Sequence, residues 1–169
     1  MDIRFKNSYI RNKELIKEMY RYYFFKQPSL IVCYSLLFLS FLVNTVSAIS
    51  GQTYYVWIFV FVPLLIAIQV FRYCRQVNTT VKRDIEVHGR EMEVEITATD
   101  DCLQNTNSTG TVSKIGYDKI KRAVQTKNLI LLCSKTNLVY IFRKDSFESG
   151  TTEKFVSFLK AKGISVKGK

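Results

Sequence analysis

Charge is missing from the middle of this chain. Between Lys26 and Arg72 lie 45 residues without a single Asp, Glu, Lys, Arg or His, and no water-exposed face is built from such a stretch. Histidine is nearly absent as well. The one imidazole is His88, so a Ser-His-Asp or Cys-His centre would hang on that residue alone. The seven glycines form no glycine-rich phosphate loop. The four cysteines, Cys33, Cys74, Cys102 and Cys133, include no Cys-x-x-Cys pair. They read as free thiols, Cys133 in a buried run and Cys74 as an acylation candidate at the membrane surface. Together with His88 they offer no metal-ligand spacing. Asp100-Asp101, followed by Asn105 and Asn107, lacks the closing Glu of a calcium loop and reads as an acidic turn. On these grounds no catalytic residue, cofactor or metal is assigned.

What is present is hydrophobic length. The uncharged block is broken once, by Ser50-Gly51-Gln52-Thr53, which predicts a two-helix transmembrane hairpin with spans over 28–50 and 54–73. At about 1.5 Å per residue the first crosses a hydrocarbon core of about 30 Å and the second just reaches. Pro28 opens the first span, where its missing amide proton costs nothing, and Pro63 falls inside the second. Tyr54, Tyr55 and Trp57 make an outer aromatic belt; Tyr22, Tyr23 and Tyr73 make an inner one. Asn44 is the strongly polar residue deep in the first span, a candidate for helix–helix contact or for local bonding near the outer surface. A signal peptide is excluded by the late start, the length and the second span.

The charge that remains is basic, with a net value of +11. Lys13, Lys17, Arg21 and Lys26 precede the first span; Arg72, Arg75, Lys82 and Arg83 follow the second. The positive-inside rule keeps both flanks in the cytoplasm. This predicts a multi-pass protein of the cell (inner) membrane with both termini cytoplasmic. In that topology the sequons at Asn78 and Asn107 are chance occurrences.

Periodicity organises the flanks. Residues 1–27 hold a short alternating strand over 2–6 and an amphipathic basic helix over 12–25. Cys74, Val77, Val81 and Ile85 keep helical spacing, a stalk over 74–89 that Gly89 can end. From residue 90 the period drops to two, and Met92, Val94, Ile96 and Ala98 alternate with Glu91, Glu93, Glu95 and Thr97. Further short strands are predicted around Leu103 and over 111–115, 121–126, 129–134 and 138–143, with turns at 100–101, 105–110, 127–128 and 135–137. Thr151 or Thr152 caps a last helix that carries Phe155, Phe158 and Leu159 on one stripe and ends at Gly163. The expected fold is α+β: the hairpin plus, over 90–169, a small antiparallel half-barrel of pleckstrin-homology-like (PH-like) outline with one C-terminal helix.

Several blocks carry a family likeness. They are Ile115-Gly116-Tyr117-Asp118-Lys119-Ile120, Arg122-Ala123-Val124-Gln125-Thr126, the strand over 129–132, and Tyr140-Ile141-Phe142-Arg143-Lys144-Asp145-Ser146-Phe147, then a helix with Phe155 and Leu159. In order and spacing they resemble the YcxB-like family of small bacterial membrane proteins. Tyr117 stands where that family usually has an aromatic, often Trp, before Ser or Asp and a spaced Ile. Phe142-Arg143-Lys144-Asp145 departs from its usual Ile-Pro-Lys-Arg block by lacking the proline. The resemblance implies a strand and helix, a two-span hairpin and a C-terminal sheet domain over nearly the whole chain. It implies no catalytic residue, the family being uncharacterised in function.

The functional candidates are therefore basic. Lys114, Lys119, Lys121, Arg122 and Lys127 cluster in sequence, with Arg143 and Lys144 further on. A half-barrel held near the inner leaflet can turn such residues to anionic lipid headgroups, at about 1 kcal/mol per exposed group; the plainer reading is a solvated, positive-inside surface. Alternation with Asp118, Asp145 and Glu148 argues against nucleic acid. The expected function is a non-catalytic, membrane-anchored cytosolic interaction or regulatory module. Its partners are the lipid bilayer, anionic headgroups, an unidentified protein, or further copies of itself met through open sheet edges or the hairpin. The alternative is a small transport or channel subunit built by oligomerising the hairpin, against which stands the lack of ionisable residues inside the spans. A third reading, an enzyme at the inner leaflet, would depend on His88 and Cys133.

Overall fold

The computed structural model describes residues 3–26, 28–51, 55–89, 91–136 and 138–168. Gln52 and Thr53 of the expected outer turn, Tyr54 of the outer belt, and Asn137 of the last turn lie outside the described residues. The chain divides into two compact units, Met1–Met19 with Val81–Lys169, and Tyr20–Thr80.

In the second unit two helices dominate, α2 (Pro28–Ile49) and α3 (Val56–His88), the latter continuing into the first unit. Both are long and apolar enough to cross a membrane: an 18-residue stretch within Leu30–Ile49 has a mean hydropathy of 2.0, and one within Trp57–Val87 of 1.9. Only 6 % and 0 % of these 18-residue stretches are buried, unlike the core helices of a water-soluble fold. Within this unit Phe41 meets Phe59 edge-on at 5.2 Å, and Phe25 meets Tyr73 at 5.5 Å. Helix α1 (Lys13–Phe25) ends here, and its terminal carbonyls need donors. Tyr22 O accepts from Lys26 N at 2.9 Å, and Phe24 O from the Gln69 amide at 3.2 Å. Tyr20 Oη and Thr80 Oγ1 lie 3.0 Å apart.

The other unit holds the sheets. In chain order its strands are β1 (Phe5–Arg11), β2 (Met92–Ala98), β3 (Cys102–Asn107), β4 (Val112–Gly116), β5 (Ile120–Gln125), β6 (Leu129–Ser134), β7 (Val139–Arg143), β8 (Phe147–Ser149) and β9 (Val166–Lys167). One sheet has the order β4-β3-β2-β1-β8, the other β7-β6-β5-β9. Pairing is antiparallel except for β5 with β9. The molecule is thus α+β, with two long apolar helices and a C-terminal antiparallel sheet region.

Four sequence expectations need correction. The N-terminal strand runs over Phe5–Arg11 rather than 2–6, and it is an interior strand of the sheet region rather than part of a separate segment. It pairs with β2 over seven residues, from Phe5 opposite Ala98 to Arg11 opposite Met92, and with β8 on its other side. The reason is its inward row of Phe5, Asn7 and Tyr9, all buried, which a hydrophobic pattern misses because Asn7 is polar. The expected turn over 105–110 begins later: Asn105 and Asn107 are strand residues opposite Ile96 and Val94. The short strands β8 and β9 carry no alternation to read and were not expected. The β2 alternation turns Val94, Ile96 and Ala98 inward.

All six residues of β6 are buried, so this strand is covered on both faces, as its unbroken apolar run implies. Helix α4 (Thr152–Ala161) is capped by Thr151, whose hydroxyl accepts from Lys154 N at 3.3 Å. Phe155 and Leu159 are fully buried. Phe155 stacks at 4.4 Å on Phe142, 5.2 Å from Phe5 and 5.5 Å from Phe147, so one helix residue joins β7, β1 and β8. Gly150, at φ 82°, precedes this helix; a Cβ there would strike the Phe5 ring.

Polar side chains complete the joints. Asn7, fully buried, donates to Arg143 O at 2.8 Å and accepts from Arg143 N at 3.0 Å. Its amide thereby stands in for a strand backbone between β1 and β7, which belong to different sheets. Arg11 and Asp84 form a largely buried ion pair at 3.3 Å, fixing the end of α3 to the end of β1. Glu18 on α1 accepts from Thr126 Oγ1 at 2.5 Å, Asn128 N at 2.8 Å and Asn128 Nδ2 at 2.8 Å. Burial pushes the Glu18 carboxyl up, but these donors and the Lys144 charge outweigh it and hold the group below the usual carboxylate value.

Candidate functional site

The five basic residues singled out in sequence do not form one face. Lys114 lies on β4, the outermost strand of its sheet, opposite Gln104. Lys127 sits in the turn between β5 and β6, beside the Glu18-bound residues Thr126 and Asn128. Lys119 is at the opposite end of β5, and six strand residues at about 3.3 Å each separate the two by roughly 20 Å. The later pair is engaged elsewhere. Arg143 forms an ion pair with Asp145 at 2.7 Å, and Lys144 donates to Thr126 O at 2.6 Å.

Three of the five do come together, and a fourth cation that sequence reasoning missed joins them. A single 3-10 turn, Tyr117–Lys119, leads into β5. Lys135, in the turn after β6, donates its amide to Lys119 O at 2.8 Å, so the two lysines stand directly opposite one another. One step along, the pairing slips: Ile120 faces Ser134, but Arg122 faces Cys133. Lys121 is the extra residue of a β-bulge, which sets Lys121 and Arg122 together against one residue of β6. Lys119, Lys121 and Lys135 are exposed and Arg122 is half-buried. The Arg122 Nε is buried and meets no acceptor among the described residues.

Acidic residues lie nearby, Asp100 and Asp101 close enough to act on the phenol of Tyr117, but among the described residues none forms an ion pair with these four cations. Asp118, the nearest carboxylate in sequence, is folded back over Gly116, where its Oδ1 fills the space a Cβ would take. Tyr117 is buried and donates its hydroxyl to Thr99 O at 2.7 Å; burial pushes its phenol well above the ordinary value. The signal that could have found Lys135 is the hairpin itself, since antiparallel pairing of β5 with β6 brings the residue after Ser134 beside the residue before Ile120.

Other candidates fare differently. Asn44, 8 % exposed, donates to Ser40 O at 3.0 Å and accepts the Tyr55 amide at 2.9 Å. Its contact is thus both local and between the two helices of one chain, satisfying an amide at the start of α3. Asp100 is held by Arg4 at 2.7 Å, and Asn107 accepts from Thr109 Oγ1 at 2.7 Å and Thr111 N at 2.9 Å, closing its own turn. Cys133 is buried and Cys102 partly so. Among the described residues no group of three or more His, Cys, Asp or Glu side chains could hold a metal ion. Comparison with protein-family models, with curated proteins and with solved structures finds no match to this chain.

Proposed function

We propose that this protein is a non-catalytic interaction or regulatory module, anchored in the cell membrane by its hairpin and presenting its sheet unit to the cytoplasm. The observation that carries the reading is the seven-residue pairing of β1 with β2. These strands flank the two apolar helices in sequence, and strands hydrogen-bonded to one another must lie on one side of a bilayer. Basic residues on both flanks favour the cytoplasmic side. The element order, strand and helix, hairpin, then sheets, supports membership of the YcxB-like group. Two sheets joined through one C-terminal helix support a half-barrel of PH-like outline. The transport alternative lacks support of this kind, because the segment between Lys26 and Arg72 carries no charged side chain for a pathway.

Two measurements test it. Protease added to inside-out membrane vesicles should digest the 91–168 region, and protease added to intact cells should not; the reverse pattern overturns the cytoplasmic placement. Crosslinking followed by size analysis in mild detergent should give a monomer or dimer. A discrete ring of several copies would move the weight to transport. Affinity capture through a tag after Lys169 then identifies a protein partner, provided that it stays stoichiometric at about 0.5 M salt, where exposed charges are screened within ~4 Å.

A further inference from the structure

We propose that the corner formed by Lys119, Lys121, Arg122 and Lys135 is a binding site for a phosphate group, carried by a soluble phosphorylated molecule or by a lipid headgroup. The proposal rests on the anchored-module reading above and names the ligand chemistry its sheet unit would recognise.

Most cations elsewhere in the β1 and β7 region are neutralised. Arg4 pairs with Asp100, Lys6 with Glu95 and Glu148, Arg11 with Asp84, and Arg143 with Asp145. At the corner four cations are gathered, and none of their side chains meets an acidic group among the described residues. Lysines directly opposite each other repel, and a buried guanidinium nitrogen without an acceptor is a further cost. A bulge is the usual means of re-aiming side chains towards a common point, and here it places Lys121 beside Arg122. Asp118 is turned towards Gly116 and, among the described residues, makes no ion pair with these cations.

A phosphate group answers the gathered positive charge. Its oxygens accept the fixed fork of donors of a guanidinium, and its charge of up to about −2 is met by the compact lysine ammoniums. A single carboxylate brings less charge than four cations can hold. An extended polyanion is disfavoured, because Lys114 belongs to the other sheet and Lys127 lies beyond the far end of β5.

Lysine footprinting of the full chain tests this, with Lys114 and Lys127 as internal controls. The protein is reconstituted in nanodiscs of neutral phosphatidylcholine, and acylation of each lysine is followed by mass spectrometry. Inorganic phosphate replaces chloride at constant ionic strength in one arm; anionic phosphatidylglycerol is added to the discs in the other. Protection of Lys119, Lys121 and Lys135 relative to the controls by phosphate assigns a soluble ligand. The same protection only with anionic discs assigns a headgroup. Equal loss of reactivity at every lysine means screening alone, and no change in either arm means no site; both overturn the proposal. Lys121→Gln, at an exposed bulge position, should weaken binding about fivefold without altering thermal unfolding, the factor for ~1 kcal/mol per basic group. Arg122→Gln should do at least as much, with Arg122→Lys retaining part of the affinity. A Lys121→Gln protein that is protected as fully as wild type also overturns it. Failure here leaves the protease topology result untouched, so the two readings fail separately.

Discussion

Each unit of this protein buries one asparagine across a joint, and the two joints differ in what surrounds them. In the sheet unit Asn7 offers donor and acceptor to the two backbone groups of Arg143. In the hairpin Asn44 takes the Tyr55 amide and returns a hydrogen bond to Ser40. The first replaces a missing rung between two sheets; the second occupies a loose amide at a helix start. Unfolding the sheet unit gives its polar groups to water but opens the core built on Phe142 and Phe155. The helices of a membrane hairpin keep their internal hydrogen bonds when they separate, and a side chain there readily finds another local acceptor. The same residue type should therefore matter more in the sheets than in the spans.

The strongest way to break that comparison is to remove β1. A chain without residues 3–11 loses seven pairings with β2, the β8 edge and the Phe5 contact to Phe155. We expect the 91–168 region to become fully sensitive to limited proteolysis while the hairpin remains membrane-inserted. The converse sharpens it: replacing residues 20–80 by a short Gly/Ser linker should give a water-soluble, cooperatively folding protein, read by near-ultraviolet circular dichroism. Next in size is Asn7→Ala, which leaves the Arg143 amide without its acceptor in the interior, while Arg143 O keeps the Ser146 amide at 3.2 Å. At about 1–3 kcal/mol for an unsatisfied buried group, the loss is ~1–3 kcal/mol in denaturant unfolding of that soluble form.

Glu18→Gln follows, at about 1–2 kcal/mol for weakened charge-assisted bonds. Its sign with pH is fixed by the lowered carboxyl pKa. The stabilisation is complete above the ordinary value of 4.5 and is lost as pH falls through the folded pKa. Wild-type stability should thus drop below about pH 4.5 by a component that the Gln variant lacks, seen by thermal melts across that range. The smallest effect belongs to Asn44→Ala, about 0.6 kcal/mol on the scale of interhelical bonds in membranes, measured by unfolding in mixed micelles. A loss at Asn44 equal to that at Asn7 would erase the contrast between the two units.

The sequence made some of this legible and hid the rest for physical reasons. A run of 45 uncharged residues can form little but long apolar helices, and the alternation over Met92–Ala98 could only be a half-buried strand. The Phe155 and Leu159 stripe is likewise fully buried. Asn7 stayed hidden because it is a polar residue on an inward row, justified only by the backbone of Arg143, 136 positions away in the chain. The basic corner was half visible. Five cations close in sequence suggested a cluster, yet a strand carries neighbours apart at about 3.3 Å per residue, and a hairpin brings Lys135 back. Charge density along the chain is a poor map of charge density in space.

The β1–β2 pairing also has a consequence in time. Arg11 and Met92 are paired although 80 residues intervene, which at the usual elongation rate separates their synthesis by about 4 to 16 seconds. In the proposed topology the first strand waits unpaired during that interval while the hairpin is inserted. Should only one helix enter the bilayer, the two strands would finish on opposite sides, and β2 and β8 would be left with bare edges for proteases to find. In that topology, completion of the sheet is a record, written in hydrogen bonds, that both membrane crossings took place.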